Sequence, residues 1–258
     1  MIVDSIWNKI REEAKNMKER EPMLGSFFLQ AILNQKDFVH SLSFHLANRL
    51  SSPVMPSIVL REIFIDVLAN DDKLVESAAI DLKAVVDRDP AVIFYVTPLL
   101  YLKGYQAIEA YRIAHVLWEQ DRKELAYFLQ NQISVTFGVD IHPAAKMGSG
   151  IMFDHATGIV IGETAVIGDN VSMLHNVTLG GTGHEQGQRH PKIGSGVMIG
   201  AGSSILGNIT VGDGAKIGAG SVVLHDVERH TTVAGVPAKV VGKCLSSLPP
   251  SEEMDQYI

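Results

Sequence analysis

Across residues 139–241 an aliphatic residue returns every six positions, a period that neither an ordinary strand (two) nor an α-helix (3.6) produces. Ile141, Met147 and Phe153 form one set, and Ile161, Ile167, Met173 and Leu179 a second, displaced by two residues. Ile193, Ile199, Ile205, Val211, Ile217 and Val223 form a third, which makes thirteen hexads in all. In the last two sets a glycine often follows the aliphatic residue, as at Gly162, Gly180, Gly200 and Gly218, and a small or β-branched residue stands four positions after it, as at Ala165, Val177, Ser203 and Ser221. The period implies a triangular solenoid in which each hexad supplies one short strand and one corner, and three hexads complete a turn. The aliphatic residue points inward, and the tight corners favour small residues and positive φ.

Grouping the hexads by three starts turns at residues 141, 161, 179 and 205. Phe153, Met173, Ile199 and Ile217 then become equivalent inward positions. Two residues beyond each lie His155, His175, Ala201 and Ala219, predicted to stack as one column along a corner. The register breaks twice. Two residues are gained within Asp154-His155-Ala156-Thr157-Gly158, and fourteen residues instead of six separate Leu179 from Ile193. The extra eight leave the prism as a loop, roughly Gly181 to His190. Insertions in a solenoid are tolerated and tend to carry function, so the chemistry is expected at these two places.

Residues 1–138 have helical grammar, with apolar residues at spacings of three and four, as in Ile2, Ile6 and Ile10. Glu21-Pro22, Ser52-Pro53, Met55-Pro56, Asp89-Pro90 and Thr97-Pro98 punctuate the run as breakers. Asp89 before Pro90 reads as an N-cap followed by proline at the first helical position. Leu99 to Phe137 reads as two longer helices with boundaries near Gly104 and Asp121-Arg122. The expected organisation is therefore α + β: an α-helical domain over 1–138, the solenoid over 139–241 and a short tail over 242–258.

A net charge of −7 argues against nucleic-acid binding, which needs clustered Lys and Arg. No stretch reaches the roughly 18 apolar residues of a membrane span. Lys9 and Arg11 follow the first apolar residues, so the N-terminus lacks the order of a signal peptide. The single Cys244 rules out an internal disulfide framework, and a cytoplasmic location is expected.

His155 has the chemistry of a general base, and Asp140 or Asp154 could fix its tautomer. A merely structural or exposed histidine is the competing reading. Arg189 and His190 end the extruded loop, where a guanidinium could hold a carboxylate in two-point fashion and an imidazole could donate to an oxyanion; a solvated loop charge competes. His142, His175 and His184 carry no independent signal. No metal is expected, because the sequence offers no Cys ligand set and no spaced His pair on one helix. Gly200-Ala201-Gly202 and Gly218-Ala219-Gly220 would leave backbone amides open to a long amide-bearing ligand, or simply form tight corners.

Asp140-Ile-His-Pro-Ala-Ala145, Phe153-Asp-His-Ala-Thr-Gly158, Thr178-Leu-Gly-Gly-Thr-Gly183, Arg189-His-Pro-Lys192 and Ala234-Gly-Val-Pro-Ala-Lys239 together resemble the bacterial serine O-acetyltransferases. In the helical half, Arg88-Asp-Pro-Ala91 and Thr97-Pro-Leu-Leu-Tyr-Leu-Lys-Gly104 agree with the same family. The resemblance implies a left-handed parallel β-helix that transfers acetyl from acetyl-CoA to the hydroxyl of L-serine, the first step of cysteine biosynthesis. It assigns His155 as the base, with Asp140 orienting it. Asp89 and Asp154 would bind the substrate ammonium, Arg189 its carboxylate, and His190 the substrate or the tetrahedral intermediate. Gly181, Ala201, Gly202, Ala219 and Lys239 would receive the coenzyme. A homohexamer built as a dimer of trimers, feedback inhibition by L-cysteine and docking of the C-terminal Ile258 into O-acetylserine sulfhydrylase are further implications. A sugar acetyltransferase, a zinc solenoid and a structural scaffold are the alternatives.

Overall fold

The computed structural model describes residues 2–183 and 186–257. Its helical half runs α1 (Ile2–Arg20), a 3₁₀ turn (Pro22–Leu24), α2 (Gly25–Phe28) continued as a π-turn (Leu29–Leu33), α3 (Phe38–Leu50), α4 (Ser57–Ala69), α5 (Asp72–Arg88), α6 (Val96–Tyr101), α7 (Lys103–Glu119) and α8 (Lys123–Phe137). The side chain of Asp37 caps α3 by accepting from the His40 N–H, and Asp71 caps α5 by accepting from that of Leu74. Gly138 closes α8 at φ +67, the left-handed conformation that glycine adopts without a Cβ clash. α7 is buried on nearly every side and forms the axis of this half.

One local expectation fails. Asp89 begins no helix; it closes α5, its Oδ1 accepts the Ala91 N–H at 2.9 Å and its carbonyl accepts that of Val92 at 2.9 Å. Pro90 disfavours helical backbone at the residue before it and offers no N–H, so α5 stops and the chain turns. Pro98 is not a breaker either, because it falls in the first turn of α6, where a missing N–H costs nothing.

The solenoid comprises β1 (Val139–Ile141), β2 (Lys146–Met147), β3 (Met152–Phe153), β4 (Ile159–Ile161), β5 (Val166–Ile167), β6 (Ser172–Met173), β7 (Thr178–Gly180), β8 (Lys192–Ile193), β9 (Met198–Ile199), β10 (Ser204–Leu206), β11 (Thr210–Val211), β12 (Lys216–Ile217), β13 (Val222–Val223), β14 (Thr231–Gly235) and β15 (Ala238–Lys243). Three sheets form the prism faces, in the orders β1-β4-β7-β10-β13, β11-β8-β5-β2 and β15-β14-β12-β9-β6-β3. All ladders are parallel except β14–β15. Phe153 pairs with Met173, Met173 with Ile199 and Ile199 with Ile217, the register expected from the hexads. These side chains fill one continuous core with the helical half.

At regular corners the positive-φ position falls three residues past the inward one, at Asn176, Gly202 and Gly220. The first turn differs. His155 (φ +56) and Ala156 (φ +60) both take left-handed backbone, followed by Gly158 at φ +76, and this absorbs the two extra residues.

Two helices bind the halves together. α7 lies so close to β3 that a Cβ on Gly104 would stand 2.1 Å from the Phe153 carbonyl oxygen. α5 is stitched to the first solenoid turn by Ser77 with Ser149 (2.7 Å) and by Asp81, which accepts the Ile151 N–H at 2.8 Å. The same carboxylate pairs with Arg112 at 2.6 Å, and Arg112 also donates to the Gly148 carbonyl at 2.6 Å. Burial, with Asp81 beside it, pushes the adjacent Glu109 carboxyl well above the usual carboxylate range. After β15 the chain returns past the outward-facing ends of the third sheet to α9 (Pro250–Glu253). Lys216 Nζ donates to the Tyr257 carbonyl (2.5 Å), Ser172 Oγ to that of Ser251 (2.8 Å), and Met254 packs with Val85, Val92 and Met152. Among the described residues no helix is long and apolar enough to cross a membrane.

Candidate active site

Where α5, α6 and α7 meet the irregular first corner, a cavity of about 470 Å³ opens, lined among others by Asp89, Thr97, Tyr101, Gly104, Asp154 and His155. Three residues singled out from the sequence, Asp89, Asp154 and His155, thus converge. The His155 imidazole is 78% exposed, and its Nε2 lies 3.9 Å from Asp154 Oδ1, beyond hydrogen-bond reach. Its left-handed backbone turns the ring towards the helical half. Lys103, at the start of α7, closes the far side of the corner by donating to the Thr157 hydroxyl.

Asp89 is held in place by its neighbour. The Arg88 guanidinium is buried and donates to the Gly150 carbonyl (2.9 Å), Ser172 Oγ (3.1 Å) and Asn170 Oδ1 (3.2 Å). Sequence reasoning missed this residue, whose partners lie 62 to 84 positions away. The one local signal was its place beside Asp89. Asp140 sits on the outer side of β1, where Oδ1 accepts from Gln130 Nε2 at 2.7 Å; among the described residues no hydrogen bond joins it to His155.

Arg189 and His190 lie elsewhere on the prism. The His190 ring rests on Gly162, the corner after β4, where a Cβ would come within 2.1 Å of the imidazole. His155 belongs to the corner after β3. Nδ1 of His190 accepts the Thr164 N–H at 3.2 Å, which places the ring proton on Nε2. Desolvation, reinforced by Arg189, lowers the His190 pKa and keeps the imidazole a neutral N–H donor. Nε2 is 3.5 Å from where a Cβ on Gly181 would stand, so Gly181 leaves space beside this donor. Arg189 is paired with Glu163 at 2.5 Å and gives its backbone N–H to Thr164 Oγ1 at 3.0 Å.

The corner column forms as expected: the His155 and His175 rings are 6.0 Å apart in an edge arrangement, and Ala201 and Ala219 continue the line at the corners after β9 and β12. Gly202 donates to the His175 carbonyl and Gly220 to that of Ala201, whereas the N–H groups of Ala201 and Ala219 have no backbone acceptor among the described residues. Lys239 is exposed on β15 opposite Ala234, beyond the upper end of this column. Among the described residues no group of three or more His, Cys, Asp or Glu is placed to hold a metal ion.

The helical half and the hexads are matched by separate family models: "Serine acetyltransferase, N-terminal" over residues 6–110 and "Bacterial transferase hexapeptide (six repeats)" over 190–225. Over 255 residues the chain is 60% identical to the serine acetyltransferase of Escherichia coli (strain K12), covering 99% of this chain and 93% of that one. The chain belongs to the serine acetyltransferases. A solved serine acetyltransferase in complex with cysteine matches with a TM-score of 0.97 and 57% identity over 100% of both chains. Soybean serine acetyltransferase complexed with serine matches with a TM-score of 0.92 and 52% identity, over 93% of this chain and 99% of that one. In a serine acetyltransferase the acceptor is an amino acid with a hydroxyl, an ammonium and a carboxylate. The cavity beside His155 offers two carboxylates to such a molecule and no cation from Arg189.

Proposed function

We propose that this serine acetyltransferase works through His155 as general base, with Asp89 and Asp154 binding the serine ammonium and with Arg189 and His190 supplied by a neighbouring chain. The observation that carries this reading is the separation of the two groups. Asp89, Asp154 and His155 share one cavity, whereas Arg189 and His190 stand on another edge of the same prism. Side-by-side prisms in a trimer bring one edge of each against a different edge of the next, and complete the site between chains.

In the assembled site His155 removes the proton from the serine hydroxyl as the oxygen attacks the acetyl thioester carbon. Asp140 is assigned to orient the imidazole there. The developing oxyanion receives the Nε2–H of His190, a neutral donor already in the required tautomer. The tetrahedral intermediate then collapses by C–S cleavage, and the proton on His155 passes to the departing thiolate. The donor's pantetheine arm runs along Ala219 and Ala201, whose N–H groups have no backbone acceptor among the described residues, with Gly202 and Lys239 on the same chain and Gly181, beside His190, brought in with it by the neighbouring chain. The base supplies about 10²–10⁴ in rate, and positioning and oxyanion stabilisation the remainder.

Exposed Met23 (90%), Val54 (82%) and Ile58 (60%) on the helical half support contacts that join two trimers into a hexamer. L-cysteine, which is serine with a thiol, would occupy the same cavity as a competitive inhibitor. Docking into O-acetylserine sulfhydrylase is assigned to Ile258, which lies outside the described residues. A cytoplasmic location belongs to the same proposal. Thiol release from acetyl-CoA with L-serine tests the whole reading. His155→Ala should lower kcat at least a hundredfold in a folded hexamer, and turnover that does not prefer L-serine over sugar hydroxyls would overturn it.

A further inference from the structure

We propose that His175 is a third catalytic histidine, whose Nε2–H hydrogen-bonds the coenzyme A sulfur as it becomes a thiolate. The inference rests on the site reading given above and adds a residue which that reading leaves idle.

Adjacent rungs of a parallel ladder are about 4.8 Å apart. Going down the column from Ala219 to Ala201 to His175 to His155, each step is one rung, by the register of β12, β9, β6 and β3. The Ala219 and Ala201 N–H groups, without a backbone acceptor among the described residues, suit amides, so a pantetheine arm laid along them ends one rung lower. Its sulfur therefore reaches the level of His175, and its acyl carbon, one covalent bond further on, faces the acceptor hydroxyl that His155 activates from the next rung. His155 is twisted out of the regular column by its φ of +56 and lines the acceptor cavity. His175 keeps the regular corner geometry, with the left-handed residue at Asn176, and is not among the residues lining that cavity. It stands between the donor arm and the acceptor rather than beside the acceptor.

The state of the ring agrees. Nδ1 of His175 is buried and has no hydrogen-bond partner among the described residues, and an unpaired acceptor is cheaper to bury than an unpaired N–H. The proton therefore resides on Nε2, the nitrogen left to act outside the fold. During collapse the C–S bond breaks, its electron pair stays on sulfur, and the proton that sulfur finally acquires comes from His155. The His175 N–H stays on nitrogen throughout and stabilises the charge in passing, so the cycle balances without a further reactant.

His175→Phe keeps ring volume and removes the donor. It should lower kcat with acetyl-CoA about 10- to 100-fold while leaving the KM for serine within about threefold, because the acceptor cavity is untouched. With the acetyl selenoester of coenzyme A, whose selenolate leaves unaided, the loss should shrink to less than about fivefold. His175→Gln, which retains an N–H donor, should recover most of the rate. An unchanged kcat in His175→Phe, an equal loss with thioester and selenoester, or an equal loss in Phe and Gln variants would each overturn the assignment. His155→Ala, run alongside, should be defective with both donors, since serine must be deprotonated in either case. Retention of activity there would refute the base assignment itself and not only the role of His175.

Discussion

Replacing Arg88 separates the positioning of Asp89 from its chemistry. Arg88 is 8% exposed and donates three hydrogen bonds across the junction between α5 and the solenoid. Arg88→Met preserves the aliphatic stem and removes the guanidinium. Ser172 Oγ keeps a partner, because it donates to the Ser251 carbonyl, but the Gly150 carbonyl and Asn170 Oδ1 each lose one. Of these two only the Gly150 carbonyl is buried, Asn170 being exposed, and at about 1–3 kcal/mol per buried group left unpaired the expected loss of stability is about 1–3 kcal/mol. The functional effect is separable. Asp89 is tied through Oδ1 to the Ala91 N–H, so its turn moves as a unit once the anchor beside it is cut. A shift on the order of 1 Å in a binding group can cost up to ~10²-fold, and a rise of about tenfold or more in the KM for serine is expected. The KM for acetyl-CoA should change little, since Ala201 and Ala219 lie rungs away. Arg88→Lys, with a charge but no fork of donors, should fall between the two. Steady-state kinetics with each substrate varied, together with urea unfolding, decide the matter. A destabilised Arg88→Met enzyme whose serine KM stays within about twofold would refute the claim that this anchor places Asp89.

Gly104→Ala forces a methyl against the Phe153 carbonyl at 2.1 Å, so α7 must retreat from β3; a loss of about 1–3 kcal/mol in thermal unfolding and a weakened serine KM are expected. His45 is buried, and desolvation first, then Arg49, depresses its pKa to about 4 from 6.5. The unfolded chain therefore binds more protons than the native one between those values, and stability falls as pH drops through that window. The expected loss is about 3 kcal/mol between pH 7 and pH 4, measured by denaturant titration. His45→Gln should flatten this acid limb, and an unaltered limb would exclude His45 as its source.

The solenoid was legible in the sequence because its order is local. A six-residue period sets strand, corner and inward face at once, and Phe153, Met173, Ile199 and Ile217 pair where the count puts them. The two register breaks pointed to the candidate site for the same reason, since an interruption is visible only against a regular background. The helical half offered no such background. Asp89-Pro90 carries the residue types of a helix start, yet the chain uses them to end α5, and no neighbouring residue distinguishes the two outcomes. Arg88, Gly104 and the Asp81–Arg112–Glu109 cluster act through partners far along the chain, and nothing near them in sequence names those partners. The column of His155, His175, Ala201 and Ala219 could be counted from the repeat. That Arg189 and His190 stand on a different edge emerged only from the structure, where the His190 ring rests on Gly162.

The returning C-terminal segment has a mechanical consequence. A stack of repeats ordinarily frays from its free ends, one rung at a time, because each rung touches only its neighbours. Here the tail spans several rungs, from Lys216 on β12 through Ser172 on β6 to the Val85–Val92–Met152 cluster beneath α5. It acts as a tie-rod that couples the upper rungs to the helical base. Upper and lower turns should then exchange their amide hydrogens at similar rates, and the prism should open as one body rather than peel from the top.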